Sequence, residues 1–239
     1  MDNKILLLGD SHTFGDGLDD VSLHDPWKGH SKKSWAYHVF KADQIENQSR
    51  SGCSNDMIFL RLVRNVKSEH SVVIMFTFPE RVHITRKGFN FIARPNDSMP
   101  MADDWEENHI AQQINKKFEI QNQELIVNHF DDNLLELMYL KNILACQNFC
   151  SANNLKYAFT ILDHRTKTKC RGSLQKYRDS LYDSIDWEKI FLVDNQYGFG
   201  NYAQETGAKV AHDGGHWSEE YHKLFGNLFL DWLNKKNQL

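Results

Sequence analysis

The sequence predicts an α/β protein of three layers, in which helices cover both faces of a central, mostly parallel five-stranded sheet. Five short apolar runs have the length of strands, and segments with the three-to-four spacing of amphipathic helices lie between them. Parallel strands need crossover connections, so this alternation is typical of a parallel sheet covered on both faces. The predicted strands span residues 4–8, 44–48, 71–77, 156–162 and 190–194. With 239 residues, the chain fits one domain spanning 1–239.

The predicted helices carry apolar residues on one face. They span 35–41, 55–66, 123–152 and 218–234. The apolar side chains of the last recur at helical spacing, and they are Tyr221, Leu224, Phe225, Leu228, Phe229 and Trp232. In a sheet of this class, ligands bind outside the carboxyl ends of the strands. Functional residues are therefore expected just after each predicted strand.

One stretch, 81–121, interrupts the alternation and is expected to form an irregular insertion. It holds two of the chain's four prolines and a run of acidic residues. Long loops of this kind often serve as lids or binding loops. Its apolar residues would then cover a site, with Trp105 against a substrate, and a small satellite core is the other interpretation. They are Phe89, Phe91, Met99, Met101 and Trp105.

Charge and hydropathy exclude several classes of protein. The 28 Lys and Arg against 32 Asp and Glu give a net charge of −4, which argues against coating nucleic acid or an anionic membrane. The longest apolar runs, 5–8 and 72–76, are far shorter than the ~20 residues of a membrane span. The first is also too short for a signal-peptide core. The four cysteines follow no paired spacing, so a reduced, cytoplasmic location is expected. Oligomeric state is left open.

The first candidate site is the segment GDSHTFGDG, directly after the first predicted strand. Ser11 lies where its hydroxyl can face a crevice and act as a nucleophile, and a helix N-cap is the alternative interpretation. A phosphate-binding loop is rejected, because Gly15 and Gly17 form only a fragment of the glycine pattern and no Gly-Lys-Ser/Thr follows. His12 is interpreted as a wall of the substrate pocket, with simple surface exposure as the alternative.

The second candidate site lies ahead of the last helix, in AHDGGHWSEE. Asp213 and His216 are three residues apart, and the two glycines between them allow a turn that folds the carboxylate back onto the imidazole. Such a contact orients a histidine base and stabilises its charged form. A plain turn ahead of a helix is compatible with the same residues. His212 raises a metal site as an alternative, but no third ligand has convincing spacing, so no metal is expected.

A third segment, NQSRSGCSND, follows the second predicted strand. Gly52 allows a close approach of the backbone, and Ser54 or Asn55 can cap the next helix. The N–H of Gly52 can donate to an oxyanion. A simple capped turn is the alternative interpretation.

Taken together, these segments resemble the SGNH/GDSL hydrolase family. The matching residues are Gly9, Asp10 and Ser11 in the first block, Gly52 in the second, and Asp213 and His216 in the last. The resemblance implies a flavodoxin-like sheet and a serine hydrolase without a cofactor. It further implies that Ser11 attacks an ester, His216 is its base, and Asp213 orients His216. The N–H groups of Ser11 and Gly52 would hold the oxyanion.

One family block departs. The family has GxND after the third strand, where the asparagine donates to the oxyanion, whereas this chain has TFPER from Thr77 to Arg81. Pro79 has no N–H, and one lost oxyanion donor typically costs about 10²–10³ in turnover. Asn55, Thr77 and Arg81 are the candidates to replace it.

The expected function is a serine esterase that removes a small acyl group, with O-acetyl on a carbohydrate as one substrate. The partner is then a small-molecule or carbohydrate ester, with no nucleic acid and no membrane. The alternative is a catalytically weak or inactive binding or structural protein on the same fold, which the missing asparagine favours. The six basic residues of 164–178 are interpreted as a solvated face or as a contact for an anionic substrate.

Overall fold

The computed structural model describes residues 4–21, 29–86, 89–93, 98–101, 112–114, 116, 118, 120–121, 124, 131–164, 172–236 and 238–239. The strands in these ranges are β1 (Lys4–Leu8), β2 (Ile45–Asn47), β3 (His70–Phe76), β4 (Val82–Arg86), β5 (Phe89–Ala93), β6 (Ser98–Met101), β7 (Tyr157–Ile161) and β8 (Ile190–Phe191). Five of them form the central sheet, in the order β2-β1-β3-β7-β8.

All neighbours in the central sheet are parallel, and the register pairs Leu6 with Val72 and Ile74 with Phe159. The predicted class, a doubly wound parallel sheet, is confirmed. All five predicted strands are present. The last is shorter than predicted because the chain turns at Asp194 and Asn195, whose φ angles are +52° and +57°.

The helices with assigned bounds are α1 (Ser11–Phe14), α2 (Asn55–Asn65), α3 (Asp132–Ala152), α4 (Leu174–Ser184), α5 (Phe199–Glu205) and α6 (Glu219–Lys236), with 3₁₀ turns at Trp35–His38 and Trp187–Lys189. The described residues 112–114, 116, 118, 120–121 and 124 are also helical. The predicted helix 35–41 is thus a single 3₁₀ turn. α3 begins at Asp132 because the preceding Asp131 accepts the N–H of Leu134 at 2.8 Å. Of the helices that the structure describes, none is both long and apolar enough to cross a bilayer.

Two apolar cores lie on opposite faces of the sheet. Leu6 and Leu8 of β1 face one core, and Ile5 and Leu7 face the other. This follows from the alternation of side chains along a strand. The first core is closed by α2 and α3, and the second by α5 and α6. Because both faces are covered, the carboxyl edge of the sheet is left as the place for a site.

The stretch expected to be irregular contains a second sheet. β4, β5 and β6 form a three-stranded antiparallel sheet, and the described residues 112–114, 116, 118 and 120–121 are helical. The expectation of an irregular 81–121 is therefore wrong at the described residues of these strands and at those helical positions. The prolines and acidic residues concealed the alternation of apolar and polar residues in VHIT and FNFI. Val82, Ala93 and Leu135 form a small cluster between this sheet and α3. Of the five apolar residues expected to form a lid or a satellite core, Phe91 is buried. Trp105 lies outside the described residues.

Candidate functional site

Ser11 lies at the carboxyl edge of the sheet, where β1 turns directly into α1. The turn requires Gly9, because a Cβ there would lie 2.3 Å from the Thr13 hydroxyl oxygen. Asp10 is the N-cap of α1 and accepts the N–H of His12 at 3.0 Å. Ser11 is therefore the first residue of a capped helix and is only 3% exposed. The alternative interpretation, in which Ser11 is the helix N-cap, is wrong, because the side chain that caps α1 is that of Asp10.

The other carboxylate oxygen of Asp10 joins β1 to the end of β3. Oδ2 accepts the hydroxyl of Thr77 at 2.7 Å and Nη1 of Arg81 at 2.9 Å. Burial by itself raises the pKa of Asp10, but the charge of Arg81 and these hydrogen bonds lower it below its usual value. The carboxylate is thus ionised, and it fixes Arg81 beside the turn that carries Ser11.

Asp213 and His216 meet in a tight loop ahead of α6. Gly214 has a φ of +70°, and the loop is closed by the Ala211 N–H, which donates to the His216 carbonyl at 2.7 Å. Oδ1 of Asp213 accepts the N–H groups of Gly215 and His216 at 3.0 Å each. Oδ2 lies 2.5 Å from Nδ1 of His216. The predicted contact between the carboxylate and the imidazole is present in this geometry.

The state of Asp213 follows from the same contacts. Partial burial raises its pKa, but the N–H of Gly215 and the ring and N–H of His216 lower it overall. The carboxylate therefore stays negative and holds Nδ1 of His216 as the protonated ring nitrogen. No described residue engages Nε2, so that nitrogen is available as a base.

Two contacts bring this loop to the Ser11 turn. The His216 ring packs edge-on against His12, with centroids 5.0 Å apart. The backbone of Gly17 lies against the Asp213 carboxylate, where a Cβ on Gly17 would be 2.7 Å from Oδ2. Two residues from opposite ends of the chain thus both adjoin His12: Ser11 precedes it in the sequence, and the ring of His216 contacts its ring.

His12 is an interior residue of this site. It is 6% exposed and packs against the ring of Phe199 at 5.3 Å, which decides against simple surface exposure. Burial lowers its pKa to about 4, although Asp10 acts in the opposite direction. His12 is therefore neutral near pH 7 and does not repel a proton on His216. Its contact with a substrate stays a prediction.

Two backbone N–H groups are free to bind an oxyanion. Gly52 has a φ of +72°, and its turn is tied to the end of β1 because the Arg50 N–H donates to the Gly9 carbonyl at 3.1 Å. Within the described ranges, neither the Gly52 N–H nor the Ser11 N–H has an acceptor. These are the two donors that the sequence predicts.

Asn55 and Thr77, by contrast, are engaged elsewhere. Oδ1 of Asn55 accepts the Thr77 N–H at 2.9 Å, and Nδ2 donates to the carbonyls of Thr77 and Phe78 at 3.2 and 3.4 Å. The hydroxyl proton of Thr77 goes to Asp10. Of the three candidates to replace the missing asparagine, only Arg81 keeps N–H groups that no described residue accepts.

Solved structures resemble this chain over nearly its whole length, although no family model and no curated protein matches its sequence. A lipolytic protein of the G-D-S-L family from Desulfitobacterium hafniense DCB-2 is 14% identical, covering 97% of this chain and 99% of that one, with a TM-score of 0.43. The esterase EstA from Pseudoalteromonas sp. is 15% identical, covering 98% and 97%, with a TM-score of 0.44. An acetyl xylan esterase is 12% identical, covering 95% and 98%, with a TM-score of 0.45. The chain is similar to GDSL lipolytic proteins and esterases.

The remaining predicted site residues make their contacts away from Ser11 and from the Asp213–His216 pair. The Nε2 atom of His212 contacts the Asp19 carboxylate on the surface, and the described residues contain no group of three His, Cys, Asp or Glu arranged as metal ligands. Arg178, from the basic segment 164–178, is buried 3.8 Å from Glu136 and over the ring of Tyr182. It is not part of a solvated face. Residues 165–171 lie outside the described ranges.

Two site residues were not predicted. Asp16 donates its N–H to the Ser11 carbonyl at 3.0 Å, and burial raises the pKa of its carboxyl group, although a hydrogen bond with Ser51 lowers it. Gly17 makes the contact with Asp213 described above. The signal in the sequence is the Asp-Gly pair that ends GDSHTFGDG, which is typical of a tight turn.

Proposed function

We propose that this protein is a serine ester hydrolase that works through an acyl-enzyme. The observation that carries the proposal is the bonding of His216. Its Nδ1 and its N–H are both held by the Asp213 carboxylate, and its ring lies next to His12, the residue after Ser11. A base held in this way by a carboxylate, close to a serine, is the arrangement that activates a hydroxyl nucleophile.

In the first half of the reaction, Ser11 Oγ adds to the ester carbonyl carbon while its proton passes to His216 Nε2. The carbonyl oxygen becomes an oxyanion, which the N–H groups of Ser11 and Gly52 stabilise. The bond to the alcohol then breaks, and the alcohol leaves with the proton from Nε2. The acyl group stays on Ser11.

In the second half, His216 Nε2 takes a proton from water, and the resulting hydroxide adds to the acyl carbon. The bond to Ser11 Oγ breaks, and the serine recovers its proton from Nε2. The products are the carboxylic acid and the unchanged enzyme. Throughout, the negative Asp213 stabilises the charged imidazolium.

The acyl group is proposed to be small. Ser11 is 3% exposed and the neighbouring His12 is 6% exposed, so little apolar surface is open for a long chain beside the nucleophile. The alcohol part is proposed to be a carbohydrate, whose hydroxyl groups can donate hydrogen bonds to the carboxyl oxygens of Asp16. An acetyl xylan esterase is among the similar solved structures, which makes acetylated sugars the first substrates to test.

The second candidate is a binding or structural protein on the same fold. It is favoured by one observation, Pro79 and its neighbours in place of the asparagine that donates to the oxyanion. Such a protein would keep the fold without an activated serine, and the following experiment distinguishes the two.

The test is labelling with a fluorophosphonate probe, followed by intact mass. We expect one adduct per chain on the wild type, mapped to Ser11, and no adduct on Ser11→Ala. His216→Ala is expected to react at least about 10³-fold more slowly, because the serine loses its base. Unlabelled wild type is then assayed with 4-nitrophenyl acetate, butyrate and octanoate, and with acetylated xylan.

The matched control is His212→Ala, which removes an exposed histidine from the same loop. It is expected to label as fast as the wild type. A folded wild type that forms no adduct, or one that labels at a residue other than Ser11, would overturn the hydrolase proposal in favour of the binding protein.

A further inference from the structure

We propose that Arg81 supplies the third oxyanion donor, in place of the asparagine that this chain lacks. This inference rests on the proposed hydrolase function and deepens it. Among the side chains at the end of β3 that could replace the asparagine, Arg81 alone keeps N–H groups that no described residue accepts.

The other candidate side chains near the end of β3 have no hydrogen left to donate. Asn55 gives both hydrogens of its amide to the carbonyls of Thr77 and Phe78, and Thr77 gives its hydroxyl proton to Asp10. Pro79 has no N–H. A third side-chain donor to the oxyanion must therefore come from a residue other than Asn55 and Thr77.

Arg81 is held in place with hydrogens to spare. Its side chain is 9% exposed, and its guanidinium lies 2.9 Å from Asp10 Oδ2 through Nη1 and over the ring of Phe78 at 5.3 Å. A guanidinium carries five N–H donors in a fixed fork. Within the described ranges, Asp10 alone accepts from this side chain. Two neighbours thus fix the position of the fork while leaving most of its N–H groups available.

The charge lies close to the nucleophile. Asp10, which binds Arg81, is covalently joined to Ser11, and Arg81 is also among the charges that lower the pKa of His12. The guanidinium therefore acts on the residues before and after Ser11. An oxyanion formed on the carbonyl that Ser11 attacks would develop its charge within this field.

Arg81 fits the role for a second reason, which is the charge of Asp10. A buried carboxylate next to Ser11 would oppose a developing oxyanion if it were unpaired. Arg81 neutralises it, and its remaining N–H groups can make charge-assisted hydrogen bonds, which are stronger than those of a neutral amide. Arg81 would then take the place of the oxyanion-binding asparagine and also neutralise the negative charge of Asp10.

The first experiment compares wild type, Arg81→Gln and Arg81→Lys with 4-nitrophenyl acetate and with the fluorophosphonate probe. We expect kcat of Arg81→Gln to fall about 10²–10³-fold with KM changed less than about threefold, because the contact exists only in the transition state. Arg81→Lys, which keeps the charge, is expected to lose less. Arg64→Gln, which removes an exposed arginine of α2, is the matched control and should match the wild type.

Two further variants separate donation from folding and from neutralisation. The double variant Asp10→Asn/Arg81→Gln removes the buried carboxylate together with the guanidinium that neutralises it. No unpaired buried charge is then left to destabilise the fold. We expect the double variant to stay as slow as Arg81→Gln. Arg81→Ala is expected to recover at least tenfold in kcat with guanidinium chloride at concentrations below unfolding, and not with sodium chloride at equal ionic strength. Recovery of the double variant to wild-type kcat would reduce Arg81 to a partner of Asp10 and overturn the inference.

Failure of this inference is distinguishable from failure of the proposed function. If the wild type labels at Ser11 and Arg81→Gln keeps wild-type kcat, the hydrolase proposal stands and Arg81 is not an oxyanion donor. If the folded wild type does not label at Ser11, the hydrolase proposal falls, and the role of Arg81 falls with it.

Discussion

The carboxylate of Asp213 lies directly on the backbone of Gly17. A Cβ at Gly17 would lie 2.7 Å from Oδ2, and the φ of this residue is +78°. Glycine alone meets both conditions without strain. Through this contact, the loop that follows α1 supports the carboxylate that orients His216, so the first and last segments of the chain position one another.

Gly17→Ala is therefore expected to move Asp213 away from His216. A displacement of about 1 Å in such a site can cost about 10²-fold in rate, and we expect a loss of that size in kcat with 4-nitrophenyl acetate. Gly207→Ala is the matched control, because Gly207 also has a positive φ, +62°, with open space around it. Equal activity of the two variants would contradict the proposed support of Asp213.

Asp213→Asn tests the role of the carboxylate itself. The asparagine preserves the shape of the side chain but no longer holds His216 with its charge and can select the wrong tautomer, so kcat is expected to fall about 10⁴-fold. The thermal midpoint should change by only a few degrees, because the side chain is at the surface edge of the site. A loss of less than tenfold, measured by active-site-titrated kinetics, would exclude Asp213 as the orienting residue.

Asn55→Ala is expected to damage stability rather than catalysis. The substitution leaves the buried Thr77 N–H and two carbonyls without their partners, and the free energy of unfolding should fall by about 3 kcal/mol. In protein that stays folded, kcat per fluorophosphonate-reactive site should remain within a few fold of wild type. Urea denaturation and titrated kinetics measure the two effects.

Asn65→Ala, at the other end of the same helix, is the control for this prediction. Its Nδ2 only donates to the Arg61 carbonyl one turn earlier, so the expected loss is below about 1 kcal/mol. A loss of kcat in Asn55→Ala as large as about 10²-fold, with unchanged stability, would instead make Asn55 an oxyanion donor.

The sequence predicted what depends on local pattern. The central strands were predictable because they are buried on both faces and so read as uninterrupted apolar runs. Ser11, Asp213 and His216 were predictable as candidates because each follows a strand or precedes a helix in a segment with turn residues. The structure brings Asp213 and His216 together and places them beside the turn of Ser11.

The rest depends on contacts between distant segments, which spacing does not reveal. The role of Gly17 arises only when the loop of Asp213 lies against it, and Asn55 is occupied only because the end of β3 passes beside α2. α1 has four residues, too few for a helical period to be visible. β4 and β5 were concealed by the prolines and acidic residues around them.

His12 gives a prediction for the pH dependence of stability. Burial lowers its pKa from the usual 6.5 to about 4 in the folded protein. Between these values the unfolded chain binds a proton that the folded chain does not, so stability rises with pH. On going from pH 7 to pH 4.5, the wild type is expected to lose about 2–3 kcal/mol through this group.

His12→Leu should lose less than the wild type over the same range, because leucine has no proton to bind. His222, whose pKa burial also lowers, acts in the same direction in both proteins and leaves part of the slope. The measurement is urea denaturation of the wild type and of His12→Leu at pH 7.0, 5.5 and 4.5, in which the wild type gives the reference slope. If His12→Leu also keeps that slope, His12 binds a proton as readily in the folded protein as in the unfolded chain, and it would then carry a charge beside His216 at mildly acidic pH.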